Sequence, residues 1–185
     1  MNPIPDRDEC LRRMDEMQMP EHIRRHSHLV AAIAVYLGKL LDQNGTRLDL
    51  CLVEAGALLH DIGKSRALAT GQRHEELGAE IVQRWGYHPI APIVREHVHL
   101  EREELHGPIT ESLLVNYADK RVKHDEIVSL EERFRDLVNR YGRTPKHIEF
   151  LEKKYHLFNQ LERKIFEHLP IHPEEGGLMN LVVNA

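Results

Sequence analysis

The sequence predicts an all-α fold of about eight helices. Apolar residues recur at spacings of three, four and seven along most of the 185 residues, which is the period of one helix face. No stretch alternates apolar and polar residues over the length of a strand, and start and stop signals punctuate the chain at helical intervals.

The elements follow in order. A first helix covers residues 6 to 18, with Asp6 as its N-cap. Pro20 opens a second, to about 43, with Ile23, Val30, Ile33, Leu37, Leu40 and Leu41 along one stripe. "QNGT" ends it. A third runs from Asp49 to His60, with Gly63 as its C-terminal signal. A fourth covers 73 to 85 and stops at "WGYHP", and a fifth covers 89 to 99. A sixth starts at Pro108, a favourable first-turn residue, and passes Asp119. A seventh spans 125 to 141 and ends at Gly142. Thr144-Pro145 caps and starts a long eighth, to about 169, whose stripe is Ile148, Leu151, Tyr155, Phe158, Leu161 and Ile165. Residues 170–185 read as a loosely ordered tail in which "LVV" could dock.

Composition excludes several classes. Apolar residues are 41% and charged residues 30% of the chain, the balance of a globular protein. A net charge of −5 provides no broad field for nucleic acid or an anionic membrane. Cys10 and Cys51 have no paired spacing and read as reduced thiols. The N-terminus has no signal-peptide pattern, and the longest apolar run, "LVAAIAVYLGKLL", is too short to span a bilayer. A cytoplasmic location is expected. "KRVKH" could touch nucleic acid, but a solvated face is the plainer reading of five residues.

Histidine is abundant, with 14 in the chain, and the placement of some is informative. His26 shares the buried stripe of the second helix, whereas His28 is rotated roughly 200° away. His60-Asp61 ends the third helix and is followed by Gly63-Lys64. His74 opens the fourth, His97 lies near the end of the fifth, and Asp119 lies in the sixth. Each is a ligand type for divalent metals, and facing helices in bundles build metal sites from such side chains. Singly, each has a plain structural alternative. A histidine on an apolar face is ordinarily a satisfied core residue, and Asp119 could pair with Lys120 or Lys123. His60 suits a helix C-terminus. Six together are harder to accommodate, because burying unpaired imidazoles and carboxylates is costly.

The order His…His-Asp…Asp, with the doublet inside "LLHDIGK", resembles the HD superfamily of metal-dependent phosphohydrolases. "HSHLVAAIA" resembles that family's first-histidine helix in a register that selects His26, and "YADKRV" resembles its final-aspartate helix. The resemblance covers about residues 20 to 125. It implies a single HD-type helical domain over 1–169, with a helical extension from about 125 to 169 and the metal site between core helices. It implies that His26, His60, Asp61 and Asp119 bind one metal. Members with two metals add intervening histidines, which His74 and His97 match, and Asp61 would then bridge the ions. His99 competes with His97 and is otherwise a substrate-side candidate. Lys64 inherits a phosphate-binding role beside the catalytic Asp61. The 13 residues from Asp61 to His74 are fewer than in the cyclic-di-GMP phosphodiesterase branch, whose "HHE" and "GYP" elements are also absent. The spacing is closer to small stand-alone HD proteins and the dinucleoside tetraphosphatase branch.

The expected chemistry is hydrolysis of a phosphate ester or anhydride of a nucleotide-like molecule by metal-activated hydroxide. One or two ions are implied: iron, manganese, cobalt, nickel, zinc or magnesium. Arg25, Arg66 and Arg73 flank the ligands and are candidate phosphate contacts, against the alternative of solvated surface charge. A homodimer through the C-terminal helices is a further expectation. The competing function is a degenerate HD domain that binds a nucleotide and signals without turnover. A third, a structural adaptor, predicts no metal.

Overall fold

The computed structural model describes residues 3–167 and 169–181. Its regular structure is ten α-helices and one two-stranded hairpin among the described residues, so the all-α expectation holds with two more helices than eight. Helix α1 spans Arg7–Glu16, and the Asp6 carboxylate caps it by accepting from the Glu9 N–H at 2.9 Å. Helix α2, Glu21–Gln43, is the central element. It buries Ile23, His26, Val30, Ile33, Leu37 and Leu41 on one side, as its stripe requires. Helix α3, Leu50–Leu59, is capped by Asp49, and with α7, Glu111–Lys120, it packs against α2. These three helices supply the centre of the core and bring His26, His60 at the α3 C-cap, and Asp119 into the buried polar cluster.

Gly63 departs from expectation. Its φ is −79°, so it is no left-handed cap of α3; it occupies the N-cap of a helix the periodicity did not reveal, α4, Lys64–Thr70. Glycine is needed there for packing. A Cβ on Gly63 would lie 2.2 Å from the His74 carbonyl oxygen and 2.6 Å from the Gly78 nitrogen. The turn bearing His60 and Asp61 thus presses directly on the first turns of α5, His74–Arg84.

Further boundaries shift for local reasons. Helix α6 is only Ala91–Glu96, entered through a 3-10 turn at His88–Ile90. Helix α7 starts after Thr110 rather than at Pro108, because the Thr110 hydroxyl accepts from the Leu113 N–H at 3.2 Å. The expected start of the seventh helix is instead an antiparallel hairpin, β1 (Val122–Lys123) with β2 (Glu126–Ile127). His124, at φ 57°, turns it. Ser129 then caps α8, Leu130–Tyr141, and Thr144 caps α9, Pro145–Phe166, as Thr-Pro implies.

Where a loose tail was expected, the chain from 169 to 181 folds back on the core. It forms α10, Gly176–Met179, with Leu178 fully buried. The anchor is Arg121, itself fully buried, which donates to the Pro173 carbonyl at 2.8 Å and the Val128 carbonyl at 2.7 Å. Of "LVV", Val182 and Val183 lie outside the described residues. No helix among the described residues is long and apolar enough to cross a membrane.

Candidate metal centre

Four helices and one turn deliver the polar cluster. His26 sits in the second turn of α2, and His60-Asp61 occupies the α3–α4 turn. His74 is the first residue of α5, His97 the C-cap of α6, and Asp119 lies in the last turn of α7. All six predicted ligands come together. His26, His60, Asp61, His97 and Asp119 are buried, and His74 is partly exposed.

The four imidazoles share one orientation. His60 Nδ1 lies 2.7 Å from the Ala57 carbonyl, His97 Nδ1 2.7 Å from the Val94 carbonyl and His26 Nδ1 3.2 Å from the His124 carbonyl. His74 Nδ1 lies 3.3 Å from a Glu75 carboxylate oxygen. An oxygen acceptor at Nδ1 lets that nitrogen hold the ring proton whenever Nε2 binds a cation, while without a cation Nε2 faces the Asp61 and Asp119 carboxylates. His74 Nε2 and His97 Nε2 lie 3.2 Å apart. A proton on either nitrogen makes this a hydrogen bond, and with both unprotonated a cation beside them would relieve the lone-pair repulsion.

Asp61 divides the cluster. Its Oδ1 is 3.5 Å from both His74 Nε2 and His97 Nε2. Its Oδ2 is 3.3 Å from His60 Nε2 and 3.9 Å from His26 Nε2. Asp119 Oδ1 closes the second group, 2.9 Å from His26 Nε2 and 3.7 Å from His60 Nε2. His60 Nε2 and Asp61 Oδ1 are buried with no hydrogen-bond partner among the described residues. Orphaned buried atoms of this kind call for an explanation, and the donor set fits a divalent metal. His26, His60 and Asp119 form one group of converging donor atoms, and His60, Asp61 and His97 another.

A family model described as HD domain matches residues 22–135. The chain belongs to the HD domain family. HD domains bind divalent metals, in keeping with this buried His/Asp cluster. Among curated proteins, the chain is 30% identical over 142 residues to a tRNA (cytidine(56)-2'-O)-methyltransferase of Thermoplasma volcanium, covering 70% of this chain and 40% of that protein. A protein of the same description from Picrophilus torridus is 30% identical over 167 residues, covering 83% of this chain and 46% of that one. An uncharacterized protein of Methanocaldococcus jannaschii is 32% identical over 132 residues, 61% of this chain and 77% of the relative. The chain thus spans less than half the length of the two methyltransferases. No solved structure matches significantly.

The electrostatics of the HD cluster follow from burial and contact. Burial opposes charge on His60, but Asp61 outweighs it and raises the His60 pKa. Burial likewise opposes charge on Asp61, and His60 and Lys64 overcome it, holding the carboxyl well below its usual range. Asp119 is also held well below, by Lys120 and His26 against burial. Burial pushes His74 down to about 4 and lowers His97, so both are neutral donors at pH 7. A bound cation would displace the His60 proton.

The other candidates scatter. Lys64 is partly buried, with Nζ 2.5 Å from Asp61 Oδ2. Arg25 instead pairs with Asp125 at 3.3 Å on the surface, and Arg66 is exposed. Arg73 bonds Glu75 at 2.5 Å, which backs His74, and touches the exposed His99. His97 rather than His99 therefore faces Asp61. None of the three arginines, nor His99, lines the cavity of about 290 Å³ that opens beside Asp61, His74, His97 and Asp119. That cavity is walled by Lys120 of α7, Arg133, Phe134 and Tyr141 of α8, and Phe150 and Lys154 of α9. Sequence reading assigned none of these positions to the site. Lys120 reads in the sequence only as a candidate ion-pair partner of Asp119, a pair the structure contains; Arg133 and Lys154 carry no motif, and only the folding of the α8–α9 pair beside the site reveals them.

Proposed function

We propose that this HD domain is a metal-dependent phosphohydrolase acting on a phosphate ester or anhydride of a nucleotide-like molecule. One observation carries the reading. Four Nε2 atoms, each oriented by an oxygen at Nδ1, converge on the two oxygens of a single buried carboxylate, Asp61. That is how a chain holds two neighbouring cations rather than one ion pair. His26, His60, Asp61 and Asp119 would hold one, and His74 and His97, with Asp61, the other. Mixed imidazole and carboxylate donors suit iron, manganese, cobalt, nickel or zinc better than magnesium.

Such ions supply a lowered pKa for bound water and neutralise charge on a phosphoryl group. The chain's own residues do the rest. Lys64, whose pKa is raised because Asp61 outweighs burial, stays protonated and can exchange that contact for a phosphoryl oxygen. Lys120 similarly pairs Asp119 at the cavity wall. Phe134, Phe158 and Leu151 give the cavity an apolar part of its lining. The RNA-related names of the methyltransferase relatives make a terminal RNA phosphate a useful member of the substrate panel.

The test is metal content and turnover of a panel of phosphate esters. Wild type should hold about two ions per chain, His74→Ala about one, and Asp61→Ala little metal with at least a 100-fold loss of turnover. Full metal content and activity in Asp61→Ala would end this mechanism. A wild type that neither takes up added manganese or iron nor hydrolyses any ester would favour the non-catalytic signalling alternative.

A further inference from the structure

The cavity beside Asp61 has more cations than the metal centre accounts for. Its lining holds Lys64, Lys120, Arg133 and Lys154, but only two carboxylates, Asp61 and Asp119. Both carboxylates already have their own lysine, Asp61 with Lys64 at 2.5 Å and Asp119 with Lys120. Arg133 and Lys154 remain.

Neither is well neutralised. Arg133 reaches Asp136 only at 3.4 Å through Nη1, and its Nε is buried without an acceptor. Lys154 donates to the Leu100 carbonyl at 2.7 Å, and its nearest carboxylate, Glu101, is 3.9 Å away. Burial lowers the Lys154 pKa; Glu101 opposes this and Lys120 adds to it. Arg133 likewise repels the charge on Lys64. Like charges gathered around one cavity, two of them without a close carboxylate, suit an anion. Both residues stand on α8 and α9, helices that carry none of the His/Asp cluster.

We propose that Arg133 and Lys154 form a second phosphate subsite, outboard of the metal centre, that selects substrates with a diphosphate or longer phosphate chain over simple monoesters. The inference rests on the phosphohydrolase reading of the same cavity. The scissile phosphoryl group lies at Asp61 and Lys64, and the next one reaches the guanidinium fork of Arg133, with Lys154 as a point charge behind it.

The experiment compares wild type, Arg133→Gln and Lys154→Gln. It measures kcat/KM on ADP and on p-nitrophenyl phosphate, and calorimetric affinity for pyrophosphate and for inorganic phosphate. Arg133→Gln should lose roughly 10- to 100-fold on ADP and in pyrophosphate affinity, the range for a hydrogen bond to a charged group. It should change by less than about 3-fold on the aryl ester and on phosphate, with Lys154→Gln following in the same direction. Equal losses on both substrates, or no loss in either variant, would overturn the subsite. The two readings fail separately. A wild type without turnover removes the phosphohydrolase reading, while its pyrophosphate preference, present or absent, still decides the subsite. Thermal melts exclude unfolding, and the partly exposed Lys154 provides a variant independent of α8 packing.

Discussion

Replacing Gly63 by alanine tests whether the α3–α4 turn must lie directly on α5 for the centre to form. The added Cβ would sit 2.2 Å from the His74 carbonyl oxygen, 2.6 Å from the Gly78 nitrogen and 3.1 Å from the Gly78 Cα. All three are backbone atoms, so no rotamer change relieves the contact. Overpacking costs about 1–3 kcal/mol, and a clash with rigid backbone belongs at the upper end. For a chain of this size each kcal/mol shifts Tm by roughly 2–4 °C, so a fall of roughly 6–12 °C is expected. The turn can also yield by moving away from α5, which separates Asp61 from His74 and His97 and lowers metal content. Gly107→Ala is the control, since its nearest neighbour is 3.9 Å away. The assay is thermal unfolding with metal analysis of both variants. If Gly63→Ala melted within about 1 °C of wild type with its full metal, as surface substitutions do, the packing argument would be wrong.

Three further outcomes are expected. Glu9 is held at about 2, below its ordinary 4.5, first by the Tyr87 hydroxyl and then by Arg12. A lowered carboxylate stabilises the fold above its ordinary pKa and loses that contribution as pH falls from 4.5 toward 2. Glu9→Gln should therefore be less stable at pH 7 and flatter in Tm across the acid range; parallel Tm–pH curves would contradict this. Arg121→Met removes the buried guanidinium that ties Tyr117, Val128 and Pro173 together. Breaking such a buried charged network costs about 3–5 kcal/mol, read as a lowered urea midpoint and faster proteolysis within 171–181; unchanged cleavage would refute the anchoring role. Chelation should lower Tm, by the equivalent of about 3 kcal/mol if metal is present at about 100 times its Kd. Metal affinity should weaken as pH falls, because His60 then keeps its proton; a Tm indifferent to chelator would speak against a resident metal.

The helices with strong periodicity and side-chain caps were legible in the residues alone. Asp6 and Thr144 each accept a backbone N–H where a cap was expected, and Asp49, read only as the start of its helix, does the same, because capping is a local bond between near neighbours in the chain. The residues that converge in the cluster were legible for a similar reason. Imidazole and carboxylate are costly to bury, so their positions on apolar helix faces already marked them. Gly63 was misread, because its need is set by α5, which approaches from another part of the chain. The β1–β2 hairpin was missed because two-residue strands have too few positions to display a period. The phosphate-contact candidates near the motif, Arg25, Arg66, Arg73 and His99, were chosen by sequence proximity, which does not imply a shared surface; the cavity draws Lys120, Arg133 and Lys154 instead.

The sequence by itself determined the all-α class, the caps and the set of ligand-type side chains, since each depends on local bonding or on the cost of burying a polar group. Only the tertiary structure decided the distances from Asp61 to the two sets of imidazoles that the family resemblance implied, the contact of Gly63 with α5 and the cationic lining from α8 and α9. Those are distances between segments far apart in the chain, fixed by how the helices pack and not by the spacing of residues within any one of them.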